Sequence, residues 1–383
     1  MNMRNTIRLV AAVCAGLLNS VAAAQSAPRI FAPDSAWRRV WIVGTDSTDG
    51  TLVEPRTVVV SNAVVTVLDA GTREVRAFDA QTGAPRFTIL PKGSGPGEFK
   101  RPAILAAAAN GFVIIDHATS RITRFNNTGA FLWTATVQDA VQVDGVCVRD
   151  DRHVLLKYGR RSSTFVEIDS TGAQRATATM PWRDRWDPSV DFSFGGKLSP
   201  ASPDGTCLMT PIFGAQWAVL PAGARSPRLY AYRETGADPV MKSAKKVLER
   251  TPSTRLIQTT NTTTTPTIAN GVLLRGDTAI VRAWGTKQFT YRILDYFNWR
   301  TGKYLFSRKL PFIMLGLAIG DDGTFYGTII DEKNQALLAF RPERLPASIK
   351  GNGRAPTPPP PARRSDTRVP PTPPSSAPPR DSR

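Results

Sequence analysis

The sequence predicts an all-β fold, a six-bladed β-propeller of four-stranded blades whose ring is closed by an N-terminal strand. Three observations predict it. Thr-Gly occurs five times, at Thr82-Gly83, Thr128-Gly129, Thr171-Gly172, Thr235-Gly236 and Thr301-Gly302, each time after an apolar, β-rich run. Six turn signals containing Asn or Asp precede apolar second strands at matching offsets. An orphan strand-like segment, Trp37–Val43, lies near the start of the chain, and the last unit lacks a fourth strand of its own. A supersecondary unit repeated at this scale implies a ring or an array, and a ring removes exposed sheet edges.

Within each unit the first hairpin turn falls at Asn62, Asn110-Gly111, Asp150-Asp151, Asp204-Gly205, Asp277 or Asp322-Gly323. Asn, Asp and Gly tolerate the left-handed backbone that tight hairpins need. The second strands follow: Val64–Leu68, Phe112–Ile115, Val154–Leu156, Cys207–Met209, Ala279–Val281 and Phe325–Ile330. Third strands are expected at Glu74–Asp79, Arg121–Asn126, Thr164–Asp169, Arg228–Arg233 and Arg292–Asn298, with Thr-Gly turning each into a fourth strand. The sixth unit has Ala336–Phe340 as its third strand and then Arg341-Pro342, so Trp37–Val43 is expected to supply its fourth. Residues 37 to 345 give about 50 residues per unit, a length suited to four-stranded blades.

The Thr-Gly pairs are spaced by 46, 43, 64 and 66 residues, which marks two insertions. One is Pro181–Pro203. The other, Ala237–Ala269, opens with Asp238-Pro239, an N-cap followed by proline at the first helical position. It is expected to continue as a short basic helix over Val240–Arg250 and then as a loop over Thr259–Thr267.

Three domains follow. Residues 1–24 read as a secretory signal peptide: Arg4 and Arg8 lead into the apolar Leu9–Leu18, and Ala22-Ala23-Ala24 offers a cleavage site before Gln25. Cys14, preceded by Val13 with little apolar sequence upstream, makes a poor lipoprotein site. Residues 25–350 form the propeller. From Gly351 to Arg383, eleven of 33 residues are proline, which implies a disordered, extended tail, a spacer or a tether to a wall polymer or proline-recognising partner. No later stretch reaches the ~20 apolar residues of a membrane span. The expected location is periplasmic or secreted.

The formal charge is +18, or +16 without Arg4 and Arg8; the tail's six Arg and two Asp leave +12 on the body. A basic surface admits an anionic polymer as a partner. Two cysteines survive processing, Cys147 and Cys207. Cys147 is expected on an innermost strand and Cys207 at the start of the next unit's second strand, where a disulfide is possible. No Cys/His cluster marks a metal site.

The sharpest local motif is Gly93-Ser-Gly-Pro-Gly-Glu-Phe99 with Pro102. A strand follows it rather than a helix, so it is not a phosphate cradle. It reads as a tight inter-blade connection with Phe99 plugging the gap. Together with Val113–Asp116 and Arg121–Phe125 this string resembles the NHL-repeat six-bladed propellers. The resemblance is specific over Val58–Trp133 and a pattern match elsewhere; the usual Asn-x-Arg-Ile turn stands here as Thr119-Ser120-Arg121-Ile122. It implies an interaction platform, or, as in a minority of such propellers, a metal-dependent lyase or lactonase-like hydrolase. Those enzymes hold their metal with His or converging carboxylate and amide groups. With only His117 and His153 in the chain, a His-rich zinc site is excluded by count. Calcium on oxygen ligands at Asp69 or Asp116 is the residual cofactor expectation, set against a turn-capping role for both.

The candidate ligand-binding residues are Trp182, Arg183, Arg185, Trp186 and Asp187, within Pro181–Pro188. Trp offers stacking area and Arg offers paired donors to carboxylate or phosphate. The competing reading is a loop held down by Trp burial and Arg–Trp stacking. The function expected is a non-enzymatic binding scaffold for a protein or cell-envelope ligand.

Overall fold

A computed structural model describes residues 29–32, 37–44, 52–91, 93–158, 164–179, 196–211, 216–232, 241–250, 255–263, 269–283, 291–330 and 335–343. Strand β1 is Trp37–Val43. Blade 1 is β2 (Pro55–Ser61), β3 (Val64–Asp69), β4 (Glu74–Asp79) and β5 (Pro85–Ile89). Blade 2 is β6 (Pro102–Ala108), β7 (Gly111–Asp116), β8 (Arg121–Phe125) and β9 (Phe131–Thr136). Blade 3 is β10 (Val143–Val148), β11 (His153–Tyr158), β12 (Thr164–Asp169) and β13 (Gln174–Thr179). Blade 4 is β14 (Gly196–Leu198), β15 (Cys207–Pro211), β16 (Gln216–Leu220) and β17 (Arg228–Ala231).

A two-stranded hairpin, β18 (Met241–Arg250) and β19 (Arg255–Thr263), intervenes. Blade 5 is β20 (Ala269–Arg275), β21 (Thr278–Ala283), β22 (Ile293–Asn298) and β23 (Tyr304–Lys309). Blade 6 is β24 (Leu317–Ile319), β25 (Phe325–Ile330) and β26 (Gln335–Pro342), with β1 antiparallel to β26 as its outermost strand.

The chain is therefore a six-bladed β-propeller closed by its N-terminal strand. The first strands of successive blades adjoin one another around the ring, β24 meeting β2. Six apolar clusters fill the six seams between blades. Phe99 is fully buried between blades 1 and 2 with Val59, Leu68, Leu105 and Phe112, as the glycine-rich string leads one to expect. The closing seam is held by Trp41 and Tyr326, which both donate to the Ala80 carbonyl, at 3.0 and 3.2 Å.

The N-terminal segment adds a second clasp. Ala32 donates its backbone N–H to the Ser307 carbonyl at 2.9 Å, and Ser307 donates in turn to the Ile30 carbonyl at 2.8 Å, which pairs the segment with the outer edge of blade 5. Arg29 reaches Asp295 at 3.0 Å, and that fully buried carboxylate also accepts from Tyr232 and Ser307.

The Thr-Gly repeat has a physical basis. In four turns the Asp or Asn ending the third strand accepts from the Thr hydroxyl and from the backbone of the turn: Asp79, Asn126, Asp169 and Asn298. Gly83, Gly129, Gly172 and Gly302 follow at φ 76°, 79°, 88° and 72°, a region that favours glycine. The fifth pair departs from this. Arg228–Ala231 is the outermost strand of blade 4, not its third, and the third-to-fourth turn runs through Gly223. Thr235-Gly236 lies outside the described residues, after the blade has ended. Its run ends in Tyr232-Arg233 without the Asp or Asn that caps the other four.

The basic helix expected over Val240–Arg250 is also overturned: Met241–Arg250 is a strand, paired from Met241↔Thr263 to Arg250↔Arg255. A lone turn of N-cap and proline does not stabilise a helix without an apolar face to bury, whereas the Thr-rich partner strand satisfies every other backbone group by pairing. The loop expected over Thr259–Thr267 is strand as far as Thr263.

Candidate functional site

Strand direction separates the connections into two faces. The first-to-second and third-to-fourth turns lie on one face; the second-to-third turns and the blade-to-blade connections lie on the other. The first is a turn face, stitched between blades by polar groups. Asn62 Nδ2 donates to Asn110 Oδ1 at 2.6 Å and Gly111 N to Ser61 Oγ at 3.0 Å. Arg149 donates to the Gly205 carbonyl at 2.6 Å and Arg275 to the Asp321 carbonyl at 3.0 Å. The disulfide Cys147–Cys207 lies near the same end of the blade 3–4 seam, with both residues fully buried and a Cα separation of 6.2 Å. Their positions on β10 and β15 are those the repeat register gives.

The opposite, loop-bearing face differs in composition. Of the described large apolar side chains left exposed, Val53, Leu90, Val141, Phe312, Ile313 and Leu315 all sit on blade-to-blade connections of this face. The others lie in the N-terminal segment or on outermost strands. Both long insertions leave and re-enter the ring here, between β13 and β14 and between β17 and β20. The candidates Trp182, Arg183, Arg185, Trp186 and Asp187 lie outside the described residues; their described flanks, Thr179 and Gly196, open on this face.

The loop-bearing end also contains a graded ring position. In blades 1, 2, 3 and 5 the innermost strand bulges against the second, between Pro55 and Thr57, Pro102 and Ile104, Val143 and Gly145, and Ala269 and Val272. Just inside the bulge, the second strand turns Leu68, Ile115, Lys157 or Arg282 toward the next blade. Two of these are aliphatic; the other two are cations that are only 1 % (Lys157) and 6 % (Arg282) exposed. In blade 3 the bulged residue is Asp144, which accepts from Lys157 Nζ at 2.8 Å through each oxygen. Burial raises the Asp144 pKa, against the opposing pull of Lys157.

In blade 5 the bulge carries Asn270-Gly271 instead. Arg282 donates from Nη1 to the Leu315 carbonyl at 3.2 Å and lies 5.3 Å from the Tyr291 ring centroid. Its buried Nε meets no acceptor among the described residues. Burial pulls its pKa down to about 10.

Asp69 and Asp116 are turn caps. Asp69 accepts from the amides of Val53, Glu54 and Gly71 at 2.7–3.1 Å, and Asp116 from those of Lys100, Arg101 and Ala118 at 2.6–3.0 Å. Burial would raise Asp116, but the amides outweigh it and hold its pKa below the usual carboxylate value. Carboxylates facing amide donors on this scale are tying a second-to-third turn to the incoming connection. His117 sits beside Asp116, and burial followed by the nearby Arg101 lowers its pKa. His153 opens β11, its Nδ1 2.9 Å from Asp150. The two histidines lie at opposite ends of their blades. Among the described residues no three His, Cys, Asp or Glu side chains converge as a metal-ligand group.

Sequence reasoning missed Arg282, Lys157 with Asp144, and the apolar connection Phe312–Leu315. A signal existed for the cations, since each breaks an otherwise apolar second strand, Val154–Leu156 or Ala279–Val281. The bulge that supplies or withholds a carboxylate has no such signal.

No protein-family model matches the chain, and no curated protein matches it in sequence. Among solved structures, it is similar to a candidate exported protein of Bacteroides fragilis, with 13% identity and a TM-score of 0.49 over 82% of this chain and 98% of that one. It is similar to virginiamycin B lyase of Staphylococcus aureus, with 10% identity and a TM-score of 0.48 over 80% and 99%. BamB of Moraxella catarrhalis gives 14% identity and a TM-score of 0.40 over 82% and 99%. These are likenesses of fold, and the count of six blades rests on the strand pairing itself.

Proposed function

We propose that this chain is an exported, non-enzymatic binding scaffold that presents its loop-bearing face to a protein or cell-envelope ligand. The observation that carries the reading is that six exposed apolar side chains, among them Phe312, Ile313 and Leu315, sit on the connections of one face, while the other is stitched by short polar turns. Exposed apolar side chains gathered on one face mark an interaction or ligand-binding surface. The signal-peptide pattern of residues 1–24 supports export, and the body charge supports an anionic component in the partner.

The test is capture from an envelope extract by the mature chain, by a loop-face variant (Phe312→Ser with Leu315→Ser) and by a turn-face variant (Asn62→Ser). Retention by the parent and the turn-face variant, with loss in the loop-face variant, supports the proposal. Equal retention by all three, or loss only in Asn62→Ser, overturns it. One divalent ion retained per chain through metal-free buffer would turn the question to lactone and ester substrates.

A further inference from the structure

We propose that Arg282 is an anion-receiving site on the loop-bearing face, which takes a carboxylate of the ligand into the place that Asp144 fills in blade 3. The proposal rests on the scaffold reading above and names the chemistry that one part of that face recognises.

Lys157 and Arg282 follow the same inner-strand bulge, each on the second strand and each turned toward the next blade. Both are more than nine-tenths buried. The blade 3 bulge presents Asp144, and both of its oxygens meet the Lys157 ammonium. The blade 5 bulge presents Asn270-Gly271, which brings no carboxylate. A buried cation left without an anion is costly, and a fold retains one where something else supplies the charge.

The guanidinium is oriented for this. Nη1 is taken by the Leu315 carbonyl and the Tyr291 ring lies alongside, which leaves the Nε edge for an acceptor. Arginine presents paired donors to a carboxylate along such an edge. Leu315, whose carbonyl Arg282 meets, is half exposed and follows the exposed Phe312 and Ile313 in the same connection. Residues 284–290, which join β21 to β22 and lie outside the described residues, include Lys287 but neither Asp nor Glu. The depressed Arg282 pKa agrees with a cation short of negative charge.

Leu68 and Ile115 fill the same ring position in blades 1 and 2, so Arg282→Leu has a built-in precedent and is expected to fold. The experiment is thermal unfolding of the mature chain with N-acetylglycine, a mimic of a peptide C-terminal carboxylate. The uncharged N-acetylglycinamide at matched ionic strength is the control, and inorganic phosphate is a separate arm. Arg300→Gln removes one positive charge on the turn face, where Arg300 pairs with Asp277, and controls for net charge.

The expected result is saturable stabilisation by N-acetylglycine, a shift of about 2 °C or more over the amide, kept in Arg300→Gln and lost in Arg282→Leu. Arg282→Leu is also expected to unfold at a higher temperature than the anion-free parent. No response in the parent, or an equal response in Arg282→Leu, would overturn the site and mean that Arg282 is neutralised from within the chain. A larger, Arg282-dependent response to phosphate would overturn the carboxylate assignment. Partner capture by the face is read through Phe312 and Leu315, so failure here leaves that test intact.

Discussion

The two faces of this propeller are built from the same strands and differ in what joins them. On the turn face, connections are short, glycine takes the left-handed positions, and Asp or Asn side chains saturate the amides of the turn. Neighbouring blades exchange hydrogen bonds there through Asn62, Ser61, Arg149 and Arg275. On the loop-bearing face, connections lengthen into two insertions, apolar side chains stay exposed, and a buried arginine has no carboxylate among the described residues. The first arrangement spends its residues on satisfying backbone polar groups, which specifies a structure. The second leaves unsatisfied apolar and cationic groups, the condition under which a surface gains by taking a ligand.

From this contrast, perturbing the turn end will cost stability and perturbing the loop end will cost binding. The largest effect is expected from the disulfide. Replacing Cys147 and Cys207 by Ala opens a crosslink across 60 residues of sequence, which the loop-entropy relation values at about 4 kcal/mol. A urea unfolding curve checks this, and an unchanged midpoint would show that the blade 3–4 seam does not need the link.

Next is Gly302→Ala. Gly302 has φ 72°, and a Cβ there would enter the space of the Tyr230 ring. A loss of about 2–3 kcal/mol is expected, read by the same curve.

A smaller effect separates charge from shape in the turn. Asp79 has its pKa held down to about 2, first by Arg86 and then by the Thr82 amide. A folded value below the unfolded value near 4 means that its contribution is present above about pH 4 and is lost as the pH falls toward 2. Asn126 and Asn298 fill the same turn position without a charge. Asp79→Asn should therefore keep the turn and flatten the decline in thermal midpoint between pH 5 and pH 2. An unchanged slope would assign acid sensitivity to other carboxylates.

The smallest stability effect is expected on the loop-bearing face. Phe312→Ser with Leu315→Ser should leave unfolding free energy within about 0.5 kcal/mol of the parent, because both side chains are already half exposed. A loss comparable with that of Gly302→Ala would mean that these residues pack rather than present, and the contrast between the faces would fail.

How much of this was legible beforehand follows the same division. The turn face was readable because its chemistry is local: an Asp or Asn, a Thr and a Gly within five residues satisfy one another, so their spacing survives in sequence. Arg228–Ala231 departs there from the third-strand position that its Thr-Gly implies, because the capping residue is missing. Tyr232-Arg233-Glu234 precedes the pair where the other four have Asp or Asn. The hairpin at Met241–Thr263 was misread because Asp238-Pro239 is a helix-start signal, and strand pairing outweighed it.

By itself, then, the sequence determined the number of blades, the closure by Trp37–Val43 and the register of the two cysteines, since each depends on periodic short-range pattern. Only the tertiary structure decided that, among the described residues, Lys157 has a carboxylate and Arg282 does not. That difference depends on which residue occupies a bulge on a neighbouring strand, 13 residues away for Asp144 and Lys157. It likewise decided that Val53, Leu90, Val141, Phe312, Ile313 and Leu315 share one face, because the side of a connection is set by strand direction around the ring rather than by anything local to Phe312 or Val141.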